Sequence, residues 1–132
     1  MEENSIFIVA GDEMLKLMKA AFPGRKAVPF REDLSKGAIP GDLIDEGFIR
    51  ERAAFWGVSE ADYSEKMRPV IDLDLSKSYT LCFGVDACCR ANLGFLLQNL
   101  KSRGYSKPVV VRIVDERDLT LIKEYRVDPS AC

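Results

Sequence analysis

The stretch Ile6-Phe7-Ile8-Val9-Ala10-Gly11-Asp12 decides how this chain reads, because its pattern comes a second time as Leu81-Cys82-Phe83-Gly84-Val85-Asp86. Each copy is an apolar run without alternation, then a glycine, then an aspartate opening an amphipathic stretch. Such runs suit strands buried on both faces, as in parallel sheets covered by helices. An aspartate just beyond suits a helix N-cap. Two strand-to-helix turns of this kind put glycines and carboxylates at the edge where open α/β sheets bind ligands.

Working outward, Ser5 to Ala10 reads as a first strand. A helix capped by Asp12 follows, with Met14, Leu15, Met18, Ala21 and Phe22 at helical spacing, and Pro23-Gly24 ends it. Lys26 to Phe30 reads as a second strand and the polar, glycine- and proline-bearing stretch from Arg31 to Gly41 as a loop. Asp42 is placed to cap a second helix running to about Trp56. Ser59 opens a third, with Asp62 in the capping-box position. That helix is expected to stop near Arg68, because Pro69 disfavours helix at the residue before it. Tyr79 to Phe83 reads as strand three, Asp86 to Gly104 as a leucine-rich helix, and the β-branched run Val109 to Val114 as strand four. Leu119 to Val127 reads either as a helical turn with a short strand or as an edge strand, and residues 128–132 as a tail.

This alternation predicts one α/β domain over residues 1–132. Its three layers hold a mostly parallel sheet of four to five strands with helices on both faces, Rossmann- or flavodoxin-like. Right-handed crossovers constrain the topology further, and with strands one and three as neighbours and two and four outside them the expected order is 2-1-3-4. The two Gly-Asp turns then flank the crevice where the chain reverses direction.

Composition narrows the function. The chain has 132 residues, 47% apolar and 30% charged, so it is not wholly disordered. Lys and Arg number 19 against 21 acids, a net charge of −2 without the basic footprint of a nucleic-acid binder. No apolar run approaches the roughly 20 residues of a membrane span. The opening Met1-Glu2-Glu3-Asn4 is acidic where a secretory signal is basic, so a cytoplasmic location is expected. Histidine is absent, which removes Ser-His and Cys-His pairs and most zinc sites. Acid–base chemistry would then fall to carboxylates, lysine, tyrosine, cysteine or a bound metal. Cys82, Cys88, Cys89 and Cys132 form no CxxC and read as small buried hydrophobes. Cys88 is the one whose pKa a helix N-terminus could lower.

Three sets of residues are candidates for a site. Gly11, Asp12, Gly84 and Asp86 sit at the turns, where they either shape and cap the helices or meet a ligand. Neither turn is a GxGxxG or Walker loop, and Asp12-Glu13 place negative charge where a phosphate would dock. A ribose hydroxyl, an amine or a metal suits these carboxylates better. In the loop, Arg31 and Lys36 suit an anionic group, Asp33 and Ser35 offer hydrogen bonds, and Gly37 allows close approach. Arg52 and Trp56, four apart on one helix face, can stack.

Together these segments resemble a bacterial family known only as domain of unknown function 1835. The resemblance rests on Ile8-Val9-Ala10-Gly11-Asp12, Arg31-Glu32-Asp33-Leu34-Ser35-Lys36-Gly37, Arg52 with Phe55-Trp56, and Phe83-Gly84-Val85-Asp86 with Asn92-Leu93. It spans most of residues 5 to 114 and implies a shared site without naming a reaction. The expectation is a small polar ligand, phosphorylated or nucleotide-like, at the C-terminal edge of the sheet. Asp12 and Asp86 would meet hydroxyls, amines or a metal, and Arg31 and Arg52 anionic groups. Two alternatives stand beside it. One is a metal-assisted hydrolase or transferase using Asp12, Asp33 and Asp86. The other is a non-enzymatic interaction module with an apolar patch on the second helix or the C-terminal segment. The sequence assigns no cofactor and no resident metal, expects neither nucleic acid nor membrane as partner, and leaves a homo-oligomer open.

Overall fold

The computed structural model describes residues 4–131, so Met1, Glu2, Glu3 and Cys132 lie outside it. Its elements run β1 (Ile6–Val9), α1 (Gly11–Ala21), β2 (Ala27–Pro29), α2 (Glu46–Trp56), α3 (Glu60–Ile71), β3 (Tyr79–Phe83), α4 (Ala87–Ser102), β4 (Val109–Val114) and β5 (Leu121–Val127). A 3-10 turn, Pro129–Ala131, follows. The sheet order is β2-β1-β3-β4-β5. The first four strands pair in parallel in the expected order, with β1 and β3 adjacent at the reversal.

β5 adds a fifth strand to the expected order and pairs antiparallel with β4, so the mostly parallel sheet is mixed. The reason is chain length. Only residues 115–120 join the two strands, and a parallel crossover takes about a dozen residues or more, so a hairpin is the available connection. The chain beyond β5 is not a loose tail either, because Pro129 is buried and the 3-10 turn packs on α4.

Side-chain parity divides the core in two. Ile8, Leu81, Phe83, Val109 and Val111 face a large cluster built with α2, α3 and α4. Phe7, Val9, Cys82 and Val114 face a smaller one built with Met14 and Met18 of α1. β3 is buried at all five positions, as its unbroken apolar run requires. β2 is an edge strand, where Pro29 needs no ladder donor. Among the described residues no helix is long and apolar enough to cross a membrane.

Three helix ends differ from expectation. α1 has no side-chain cap, and Asp12 lies inside its first turn after Gly11 enters at φ +87°. The cap of α2 is Asp45 rather than Asp42, its carboxylate accepting from the Phe48 N–H at 2.9 Å. α3 runs through Pro69 to Ile71. The proline removes one donor, but burial of Met67 and Val70 and the bond from Asp72 N–H to Arg68 O at 2.9 Å hold the last turn. Ser59 and Asp86 cap α3 and α4 as expected.

Cap identity is testable. Asp45→Ala is expected to lower stability by about 1 kcal/mol, and Asp42→Ala, at an exposed position, to change it by less than about 0.5 kcal/mol. Urea denaturation of the two variants checks this, and equal losses would return the cap to Asp42.

Candidate functional site

The residues after β2 continue in an extended alternation that the loop reading overlooked. Phe30, Glu32 and Leu34 turn inward while Arg31 and Asp33 stay partly exposed. That puts a carboxylate in the core. Glu32 Oε1 accepts from Arg52 Nη2 (2.9 Å), Trp56 Nε1 (2.8 Å) and Asp33 N–H (2.8 Å). Its Oε2 accepts from Arg52 Nε (2.9 Å) and the Tyr63 hydroxyl (2.6 Å). Burial works to raise the Glu32 pKa, but these donors, Arg52 first, hold it below the ordinary carboxylate value. Burial and the adjacent Glu32 push the Tyr63 phenol up, so it stays a neutral donor.

Arg52 is the other half of this hub. Its side chain is 1% exposed, and so is that of Glu32. Beyond the carboxylate it donates to the carbonyls of Asp33 (3.1 Å), Lys36 (2.7 Å) and Ala38 (3.1 Å). All five guanidinium N–H groups are therefore occupied. The Trp56 ring lies 5.5 Å from its centre, as the spacing on α2 predicts, and the Phe55 ring lies 4.8 Å away. Phe55 also explains Gly37, where φ is +77° and a Cβ would lie 2.7 Å from the Phe55 ring. The exposure of Phe55 and Trp56 thus follows from covering Arg52. The anion contact expected of Arg52 has no donor left to make it.

α4 fastens the same loop from the other side. Asn92 Nδ2 donates to Glu32 O at 2.7 Å, and its Oδ1 accepts from Leu34 N–H at 3.0 Å. Asp33 and Ser35 form a local turn, Ser35 N–H and Oγ both donating to Asp33 Oδ1, which lowers the Asp33 pKa. Ser35, Gly37 and Arg52 therefore shape the loop and do not line the cavity described next.

That cavity, of about 370 Å³, opens where the C-terminal ends of β1, β2, β3 and β4 meet. Gly11 and Asp12 line it from the β1 turn, Arg31 and Asp33 from the β2 loop, Asp86 from the β3 turn, and Glu116 from the β4–β5 connection. The sequence brought the first five of these forward. It missed Glu116 and Lys66, named Asn92 only within the family resemblance, and gave Trp56 and the thiols a packing role; Asn92, Trp56, Cys88 and Cys89 also line the cavity. Gly84 is buried at its edge.

Two arginines of similar sequence context behave differently. Arg31 donates from Nε to both Asp12 oxygens, at 3.1 and 3.2 Å. Its two terminal amino groups have no protein acceptor among the described residues. Asp12, expected to cap a helix, thus orients the guanidinium.

The acids proposed for a cation, Asp12, Asp33 and Asp86, do not converge. Among the described residues, the carboxyl and thiol groups that gather are Asp86, Cys89 and Glu116, within 4.8 Å of one another. The Cys89 N–H holds Asp86 below its ordinary pKa, whereas burial and Asp86 raise Glu116. Nor does the helix N-terminus activate Cys88. Burial and the facing Asp33 push its thiol up to about 11, and burial raises Cys89 as well.

Comparison with protein-family models, curated proteins and solved structures finds no match for the chain.

The hub makes a signed prediction. Glu32→Gln leaves Arg52 buried without its counter-charge and is expected to cost roughly 3–5 kcal/mol at neutral pH. Because the folded Glu32 pKa is lowered, the pair's contribution is complete above the unfolded value of about 4.5 and is lost as pH falls through the folded value. Stability of the parent chain should drop across that acid range more steeply than that of Glu32→Gln. Parallel denaturation curves from neutral pH down to about pH 2 decide it, and identical slopes would remove the pair from its central place.

Proposed function

We propose that the chain binds a small polar ligand in the crevice at the C-terminal edge of its sheet, and that Arg31 receives an anionic group of that ligand. The observation that carries this reading is the state of Arg31. Asp12 fixes it through Nε, and both terminal amino groups remain without a protein partner at the wall of a 370 Å³ cavity. A guanidinium held this way presents a fork suited to two oxygens of a phosphate or carboxylate. The volume falls within the range of about 300–1,000 Å³ typical of small-molecule sites. Lys66 adds a second cation to the lining. Asp33 and Asp86 supply acceptors for hydroxyl or amino groups elsewhere on the ligand. A phosphorylated or nucleotide-like compound meets both requirements, and the motifs that carry the resemblance to domain of unknown function 1835 fall on the same segments. The fixed orientation of Arg31 answers the objection that Asp12 repels anions, since Asp12 here is neutralised by the residue that recognises them.

Trp56 is the chain's one tryptophan and lines the cavity, so binding has a built-in reporter. Titration with nucleoside monophosphates and sugar phosphates is expected to give a saturable change in Trp56 fluorescence and a raised melting temperature. Arg31→Ala should weaken binding by about 10- to 100-fold, the value of a charged hydrogen-bonded contact of roughly 1.5–3 kcal/mol. Lys123→Ala, on β5, should leave binding unchanged. Silence of both readouts across the panel, or equal affinity in Arg31→Ala, would overturn the reading.

A further inference from the structure

Glu116 is placed unlike any other acid of the cavity. Its side chain lies across the backbone of Gly84, so closely that a Cβ on Gly84 would stand 2.5 Å from its Cγ and Cδ and 2.6 Å from Oε2. Only glycine leaves room for it there. The carboxyl approaches the Asp86 carboxyl within 4.8 Å and takes a 3.5 Å contact from the Cys89 thiol. Two carboxyl groups in such proximity repel each other when both are ionised, so a proton on one of them relieves the pair.

The surroundings of the two carboxyls favour the proton on Glu116. Asp86 caps α4 by accepting from the Cys89 N–H at 2.8 Å, an interaction that favours its ionised form and is reinforced by the helix N-terminus. Glu116 accepts no backbone N–H from the described residues. The remaining groups around it do not offset the repulsion. Asp115 precedes it in the same connection and is paired with Arg117, whose Nη2 sits 2.6 Å from Asp115 Oδ2. Asp33 from the β2 loop adds negative charge near Asp86, and Cys88 and Cys89 of α4 are neutral thiols. The cations lining the cavity are Arg31, engaged with Asp12, and Lys66, whose ammonium lies over the Trp56 ring.

We propose that Glu116 is a proton-dependent gate of this cavity: protonated, it bonds Asp86 and lies on Gly84 as part of the wall, and on losing the proton its side chain swings away and opens that wall. The raised pKa of Glu116, from burial first and Asp86 second, agrees with this direction. Both carboxyls meet solvent, so the proton exchanges with the medium. The gate is closed on the acid side of the Glu116 titration and open on the alkaline side. It does not depend on which ligand the cavity takes.

An NMR pH titration of the full chain tests it, following the Glu116 carboxyl carbon and the Gly84 amide. Both are expected to move with one shared midpoint above the ordinary glutamate range. Asp86→Asn keeps a capping side chain while removing the charge, so it should return the Glu116 midpoint toward the ordinary range. Glu116→Gln should abolish the Gly84 transition. A Glu116 midpoint at the ordinary value, a midpoint indifferent to Asp86→Asn, or a Gly84 amide that does not follow Glu116 would each overturn the proposal. None of these readouts uses a ligand, so failure here and failure of Arg31-dependent binding are separate results.

Discussion

The Arg52–Glu32 pair is the interaction on which the candidate site depends. It joins α2 to a stretch after β2 that has no helix or strand of its own. Taking both charges out of water costs several kcal/mol per ion before any contact forms. That cost is offset by geometry, since the carboxylate accepts five hydrogen bonds and the guanidinium makes five. An apolar pair of equal volume would fill the space. It would leave the carbonyls of Asp33, Lys36 and Ala38 without the donors that now bind them, and buried carbonyls need partners.

Fixing that loop has a direct consequence for the cavity. With Glu32 and Leu34 turned inward, Arg31 and Asp33 must face the other way, toward the crevice. The alternation of an extended chain thus converts one buried salt bridge into the placement of two exposed functional groups. Asn92 reinforces it by pairing with the backbone on both sides of Asp33, much as a neighbouring strand would. The loop carries site residues on an irregular backbone, yet it is held from α2, α3 and α4 together.

Much of this fold could be read from the chain. β3 and β4 appear at their expected boundaries, because β-branched and apolar runs buried on both faces leave little freedom of assignment. The order of the parallel strands matches the one expected with strands one and three as neighbours. β5 was open between two readings because its outer positions are exposed and charged, so neither period dominates. In the site, single residues near glycines were readable, while pairings across the chain were not. Arg31 and Arg52 both precede or accompany acids and aromatics, and composition treats them alike. Burial separates them, and the period-two pattern Phe30, Glu32, Leu34 was the available signal. Glu116 had none, for it follows a strand whose continuation was itself ambiguous.

A chain without histidine must build any proton chemistry from groups that titrate far from neutrality. The cavity shows how the fold moves such groups in opposite directions. Backbone donors lower Asp33 and Asp86, whereas burial and like charge raise Glu116, Cys88 and Cys89. The thiols stay protonated although they sit at a helix N-terminus, because burial first and the neighbouring carboxyl groups second outweigh the partial charge of the helix there. What remains on this rim is an oriented cation beside carboxyl groups of unequal acidity. On the proposed reading, that combination would discriminate by charge distribution within a ligand: one end would be anionic to engage Arg31, and the other would donate hydrogen bonds to acceptors that repel a second anion.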